Sequence, residues 1–265
     1  MGELIRIGAE DFRKGLGALV DPAGAHVAEL TLNGMNVFYP KQVVDVDGAQ
    51  KTRGGMHLCS PYFGLPDSMK ALGQPQHGYA RDVEWEVNAE SSSSVSLSHV
   101  QTEGPFSGLV QQIEYKILQA GDKRFDATLC AMLSLRNTRS RAGDIPKSDR
   151  DIIVAPGFHP YFDELFDQTL HMNTPRRSDT ARRMGISAIQ TIRTQSDLEV
   201  VILTSGLPNL IEWTDGAGRY SCVEPTCAGE SLDTFEGAYI IKPGFQKDFA
   251  VEIAVRRDDT NLFML

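Results

Sequence analysis

The chain is poor in the features that staple small scaffolds together. Only four of its 265 residues are cysteine (Cys59, Cys130, Cys222 and Cys227), and none belongs to a Cys-x-x-Cys pair. A chain this long and this cysteine-poor is not a disulfide scaffold, so reduced thiols in a cytoplasmic protein are the expectation. No run of eighteen apolar residues occurs, and no membrane span is predicted. The opening Met-Gly-Glu-Leu-Ile-Arg has no apolar stretch of the signal-peptide kind. Positive charge is also short: 26 Lys and Arg face 35 Asp and Glu, a net charge of −9. That balance argues against non-specific nucleic-acid binding. There is no Gly-x-Ser-x-Gly elbow, no phosphate-cradling loop and no Gly-x-Gly-x-x-Gly after a strand.

Period-two strand patterning is plentiful. Val83, Trp85 and Val87 alternate with Asp82, Glu84 and Glu86. Similar alternation runs through Val95 and Leu97, through Ile113, Tyr115 and Ile117, and through Leu129, Ala131, Leu133 and Leu135. It returns in Phe249, Val251, Ile253 and Val255. Such a period turns one set of side chains inward and the other outward, as in half-buried antiparallel strands. Many short strands separated by turn-rich stretches predict an all-β, large antiparallel β-sandwich. Helix signals are few. Pro66 to Leu72 predicts a turn or two, opened by Pro66 and closed by Gly73. Thr138 to Asp151 is charged, holds Gly143 and Pro146, and reads as an exposed loop. Ser178 to Thr194 fits either strand or short helix. With no composition shift or internal repeat, residues 1–265 are read as one domain.

The stretch Pro156-Gly157-Phe158-His159-Pro160-Tyr161-Phe162 follows the apolar run Ile152-Ile153-Val154-Ala155. The run reads as a buried strand that ends abruptly, with His159 at its end, because a proline cannot donate to a sheet ladder. His159 is then either a core histidine under a loop or an imidazole at the rim of an aromatic pocket, able to titrate near neutral pH. Phe158, Tyr161 and Phe162 fit sugar-stacking and core roles equally. Glu224, in Ser221-Cys222-Val223-Glu224-Pro225, is surface charge or, facing a cavity, a general base. His77 and Arg81 precede an alternating strand. Arg53 stands before Gly54-Gly55, where glycines permit close approach or positive φ and an arginine can grip an anion or a row of hydroxyls. Ile241-Lys242-Pro243-Gly244 reads as a structural turn. His57, Cys59 and His77 make an imaginable metal set without a fourth ligand, so no metal is expected.

In this order the motifs resemble the aldose 1-epimerase (mutarotase) family. They are Arg53-Gly54-Gly55 with Ser60-Pro61-Tyr62-Phe63-Gly64, then His77-Gly78-Tyr79-Ala80-Arg81 with nearby Trp85. Gly157-Phe158-His159-Pro160-Tyr161-Phe162, Cys222-Val223-Glu224-Pro225 and Lys242-Pro243-Gly244 follow. The likeness runs from about Arg53 to the last strand and is nearest the hexose-6-phosphate mutarotase branch. It implies a galactose-mutarotase-type sandwich with a sugar or sugar phosphate bound in an open cleft on one sheet. It implies no cofactor, and a monomer or weak dimer. By that resemblance His159 matches the general acid and Glu224 the general base. His77 and Arg81 match substrate-binding residues, and Arg53 and Arg81 are the arginines expected near a phosphate. The chain departs from the phosphosugar branch at Met56-His57, where that branch has Ile-Pro. It also lacks a tryptophan near Tyr62 and an Asn-Pro-Trp near Trp213, which leaves phosphorylated and neutral substrates both open.

The chemistry stands on its own terms. Anomer exchange removes one proton from the anomeric hydroxyl and delivers one to the ring oxygen; the ring opens, C1–C2 rotates, and the steps reverse. A carboxylate suits the first transfer and an imidazolium the second. The alternatives are a non-catalytic sugar-binding or sugar-sensing protein on the same fold, and a glycoside hydrolase or lyase, which would need two flanking carboxylates. Asp82 and Glu84 read instead as a solvated strand face.

Overall fold

The computed structural model describes residues 3–46, 48–119, 125–140, 150–163, 182–184, 189–194, 198–213, 220–229 and 231–257. The chain begins with β1 (Ile5–Gly8), β2 (Leu16–Asp21), β3 (His26–Leu32), β4 (Met35–Asn36), β5 (Gln42–Val46), β6 (Ala49–Arg53) and β7 (Met56–Cys59). A one-turn helix, α1 (Asp67–Ala71), and a 3-10 turn (Ala80–Asp82) come next. They are followed by β8 (Glu86–Glu90), β9 (Ser94–Val100), β10 (Leu109–Gln119), β11 (Ala127–Asn137), β12 (Ile152–Val154) and β13 (Gly157–Asp163). The remainder is β14 (Arg182–Met184), β15 (Ile189–Arg193), β16 (Leu198–Ser205), β17 (Asn209–Trp213), β18 (Tyr220–Thr226), β19 (Tyr239–Ile241) and β20 (Gln246–Arg257).

These strands form two large antiparallel sheets. Nine strands follow the order β1-β2-β3-β7-β13-β18-β17-β14, with β4 on β3; seven follow β15-β16-β20-β11-β10-β9-β8. Two-stranded ribbons, β5–β6 and β12–β19, complete the set. One apolar cluster joins the sheets. From the nine-stranded sheet it takes Ile7, Leu16, Leu30, Met56, Leu58, Phe158, Phe162 and Val223. The seven-stranded sheet answers with Leu97, Ile113, Leu133, Ile202, Phe249 and Ile253. Tyr115 reaches across, its hydroxyl donating to the Ala25 carbonyl at 2.6 Å. The all-β sandwich expected from alternation is the architecture found. No helix among the described residues is long and apolar enough to cross a membrane.

Local readings divide. The helix expected from Pro66 is α1, with Pro66 as its cap and Gly73 at φ +68° just beyond it. The alternation at 82–87 does not make one strand. The 3-10 turn and an isolated bridge from Glu84 to Ala23 occupy its first half, and β8 starts only at Glu86. A bulge between Val87 and Ala89 then leaves Val87 exposed. Trp85 is buried for another reason: its indole N–H donates to the Ala80 carbonyl at 2.9 Å. Within 178–194 the described parts are the strands β14 and β15; the rest of that stretch, and 141–149 of the expected loop, lie outside the described residues. The 152–155 run is a short ribbon strand with Ile153 exposed, and a new strand begins at Gly157.

Candidate functional site

His159 lies in the middle of β13, not at a strand end. On one side it pairs in register with His57 of β7. On the other side, the ladder to β18 pairs Gly157 with Thr226 and Tyr161 with Cys222. That register sets His159 opposite Glu224, with no paired partners recorded across Phe158 to Pro160. Two missing amide hydrogens lie in the gap, that of Pro160 and that of Pro225 opposite Phe158, so the prolines interrupt one ladder without ending the strand. Glu224 in turn pairs with Ile211 of β17. One transverse row therefore crosses four strands: His57, His159, Glu224, Ile211. Alternation does the rest: Met56, Leu58, Phe158, Phe162 and Val223 face the core, while the row, with Cys59, Tyr161 and Cys222, takes the other face.

That face floors an open cleft of about 780 Å³, lined by His26, Lys51, Arg53, His57, His77, Arg81, His159, Tyr161, Trp213 and Glu224, among others. The volume falls in the range of small-molecule sites. Four of the six histidines of the chain line it. His159 Nε2 and Glu224 Oε1 stand 3.1 Å apart. Both residues are buried, 5 % and 2 % exposed, and among the described residues Glu224 Oε1 and His159 Nδ1 have no aligned hydrogen-bond partner. Burial dominates their protonation. It lifts the Glu224 carboxyl well above the ordinary carboxylate range. It drives His159 well below the usual imidazole value, helped by His77, Arg81 and Arg53. Burial thus disfavours the charged form of each group.

The surrounding groups are fixed tightly. His159 is sandwiched between His57, at 4.5 Å and 27°, and Tyr161, at 4.7 Å and 15°. His77 adopts φ +65°. The Gly64 amide donates to His77 Nδ1 at 3.2 Å, which leaves the ring hydrogen on Nε2. Burial holds His77 down to about 3. Arg81 donates to the Gln76 carbonyl at 3.0 Å and approaches His57 Nε2 at 3.4 Å. Arg53 donates to the Tyr220 hydroxyl at 3.1 Å and lies over Trp213 at 5.4 Å. The two arginines thus anchor on different flanks of His159, Arg81 toward β7 and Arg53 toward β17 and β18. Gly54 and Gly55 make the approach possible. A Cβ on Gly54 would meet the Pro40 carbonyl at 2.1 Å, and one on Gly55 the Val27 carbonyl at 2.3 Å.

All five site residues expected from the sequence, His159, Glu224, His77, Arg81 and Arg53, come together here. Glu224 is buried, not a solvated charge. Of the three aromatics left open, Phe158 and Phe162 belong to the core and Tyr161 to the cleft. Lys51, Trp213 and Tyr220 carried no assignment, and His57 only a place in the metal set that lacked a fourth ligand. His57 had a readable signal, since it shares a strand face with Cys59. His57, Cys59 and His77 do not gather their ligand atoms; among the described residues the set that does is His159, Cys222 and Glu224, within 4.8 Å of one another.

No protein-family model matches the chain, and comparison with curated proteins by sequence finds no match. Solved structures do match. A protein from Synechocystis sp. superposes with a TM-score of 0.72 at 20% identity, over 97% of both chains. A galactose mutarotase related enzyme from Lactobacillus acidophilus gives 0.65 at 13%, over 96% of this chain and 97% of its own. The chain has the galactose mutarotase-like fold. An aldose epimerase homologue from C. elegans shares it more distantly, at 0.56 and 16% over 98% and 100% of the two chains. On this galactose mutarotase-like sandwich the row of His57, His159, Glu224 and Ile211 lies across the outer face of the nine-stranded sheet.

Proposed function

We propose that the protein is an aldose 1-epimerase, interconverting the α and β anomers of a hexose or hexose phosphate. The observation that carries this reading is the His159–Glu224 pair, 3.1 Å apart at the floor of a polar cleft. The pair holds one proton. With the proton on His159, Glu224 takes the anomeric hydrogen while His159 Nε2 protonates the ring oxygen, and the C1–O5 bond breaks. The open aldehyde is left beside a protonated Glu224 and a neutral His159. After rotation about C1–C2 the flow reverses: Glu224 returns its proton to the carbonyl oxygen as the ring oxygen attacks C1. His159 recovers the proton from the ring oxygen. The two proton positions of the pair correspond to the closed and open sugar, and no net proton is exchanged. Raising one group and lowering the other makes the buried carboxylate a stronger base and the buried imidazolium a stronger acid, the direction each transfer needs. His77 and Arg81 hold sugar oxygens in this scheme, and Tyr161 and Trp213 offer ring faces to the pyranose. The chemistry needs no cofactor, and a reducing cytoplasmic setting suits cysteines that form no disulfide.

The cleft also favours an anionic substrate in a chain of net negative charge. Lys51, Arg53 and Arg81 line it against Asp82 and Glu224, while Lys41 is paired with Asp21 at 2.8 Å. Anomer exchange measured by NMR, with glucose, galactose and glucose 6-phosphate offered separately, tests both points. Acceleration of the phosphosugar alone assigns the phosphohexose reaction; acceleration of neutral sugars assigns a general aldose mutarotase. Binding without acceleration of any sugar overturns the enzyme reading in favour of a sugar sensor.

A further inference from the structure

His57 stands next to His159 in the transverse row, on the side away from Glu224. Neighbouring strands are spaced by roughly 4.7–4.9 Å, so the row samples successive positions along a ligand lying across it. Arg81 fixes the state of the His57 ring. Its Nη1 lies 3.4 Å from His57 Nε2. A guanidinium only donates, so Nε2 accepts and the ring hydrogen sits on Nδ1. Burial, with His159, Arg81, His26 and His77 around it, keeps His57 neutral by pushing it well below the usual imidazole value. Among the described residues no group accepts the Nδ1 hydrogen, and His57 lines the cleft. The fold therefore offers one fixed N–H donor, one strand beyond His159.

The proposed chemistry puts Glu224 at the anomeric hydroxyl and His159 at the ring oxygen. Continuing along the same line, past the ring oxygen, leads to C5 and the group it carries. We infer that His57, backed by Arg81, is a specificity-determining residue that reads the substituent on C5 by donating from Nδ1 to the oxygen on C6. This rests on the mutarotase reading above. It separates hexoses and their 6-phosphates, which carry that oxygen, from pentoses, which end at C5.

The test compares glucose with xylose, which is glucose without its C6 group, by anomer-exchange NMR on the full chain. The wild-type chain is expected to prefer glucose in kcat/KM. His57→Phe keeps a flat ring against His159 and removes the donor; the glucose-to-xylose ratio is expected to fall about 10-fold or more, the scale of one lost hydrogen bond. His57→Gln, which restores an N–H, is expected to recover part of the ratio, and it carries the test if thermal unfolding shows the Phe variant misfolded. An unchanged ratio in an active His57→Phe chain overturns the inference and leaves the mutarotase reading intact. So does an equal loss on both sugars, because His57 would then only prop His159. A wild-type chain that binds without exchanging anomers overturns the mutarotase reading alone, and the ratio of dissociation constants from ligand-observed NMR replaces kcat/KM. A chain that neither exchanges nor binds either sugar overturns both.

Discussion

The outer faces of the two sheets obey the same period and reach opposite results. On the seven-stranded sheet β10, β11 and β20 alternate buried with more exposed positions along most of their length; Lys116 and Glu252 stand in solvent. On the nine-stranded sheet β7 and β18 are buried at every position, although half their side chains point away from the sandwich core. What covers that second face is a layer of loop and ribbon residues such as Phe63, His77, Arg53 and Leu232. The polar groups beneath it are withdrawn from water without being fully paired. A solvated face tolerates its charges cheaply; a covered face makes each one costly, and the cost is the source of the altered proton affinities.

The same chemical change made on both faces should break the symmetry most sharply. Glu224→Gln is expected to lower anomer exchange by about 10²- to 10⁴-fold, the usual contribution of a positioned acid or base, with unchanged or higher thermal stability. Glu252→Gln on β20 should alter neither activity nor, beyond about 0.5 kcal/mol, stability. Full activity in the Glu224 variant would falsify the assignment of the base. A second pair contrasts core and surface. Phe158→Ala, at a fully buried position, should cost about 3–5 kcal/mol in denaturant unfolding. Met132→Ala, 47 % exposed on β11, should stay within about 0.5 kcal/mol.

The covered face should also declare itself through pH. His26 is held down to about 4, chiefly by burial, and His77 to about 3, against an ordinary value of 6.5. Below 6.5 the unfolded chain takes up protons that the native chain refuses, so these two groups make stability fall as pH drops. The loss begins near 6.5 and continues to about 4 for His26 and about 3 for His77. Melting curves across this window should show it, and His26→Gln should flatten the upper part; an unaltered slope in that variant would remove His26 from the account. The smallest expected effect concerns substrate charge. Arg81→Ala, on the β7 flank where C6 would lie, should raise KM for a phosphosugar by about 10-fold, one charge-assisted contact, and change KM for the neutral sugar less.

The comparison also explains what could be read from the residues alone. Alternation in β10, β11 and β20 is plain because one face meets water and the other does not. The same pattern is erased in Met56-His57-Leu58-Cys59 and Tyr220-Ser221-Cys222-Val223, where both faces are buried and apolar and polar residues mix. The strand containing His159 was for that reason misplaced, with Pro160 taken as a strand end when it interrupts only the β18 side. His159, Glu224, His77, Arg81 and Arg53 were legible as a family-like order of motifs, which needs no geometry. His57 was legible only as a strand-face neighbour of Cys59; its place beside His159 comes from a neighbour a hundred residues away in the chain. The failure at 82–87 has a local cause: a turn and a bulge break a perfect alternation, and nothing in the residue types announces either.

The transverse row makes reading frame along a strand, more than residue identity, the thing most easily lost. His57, His159, Glu224 and Ile211 come from four separate segments and share one line only through strand registration. Deleting Phe158, the one residue between Gly157 and His159, would change no residue that lines the cleft. It would nevertheless send the imidazole toward the apolar interior and turn Phe162 out toward the cleft. A deletion of equal length in the exposed turn 101–105 moves nothing on that line. Two mutations that look alike in an alignment of letters would therefore differ as an erased site differs from a silent scar.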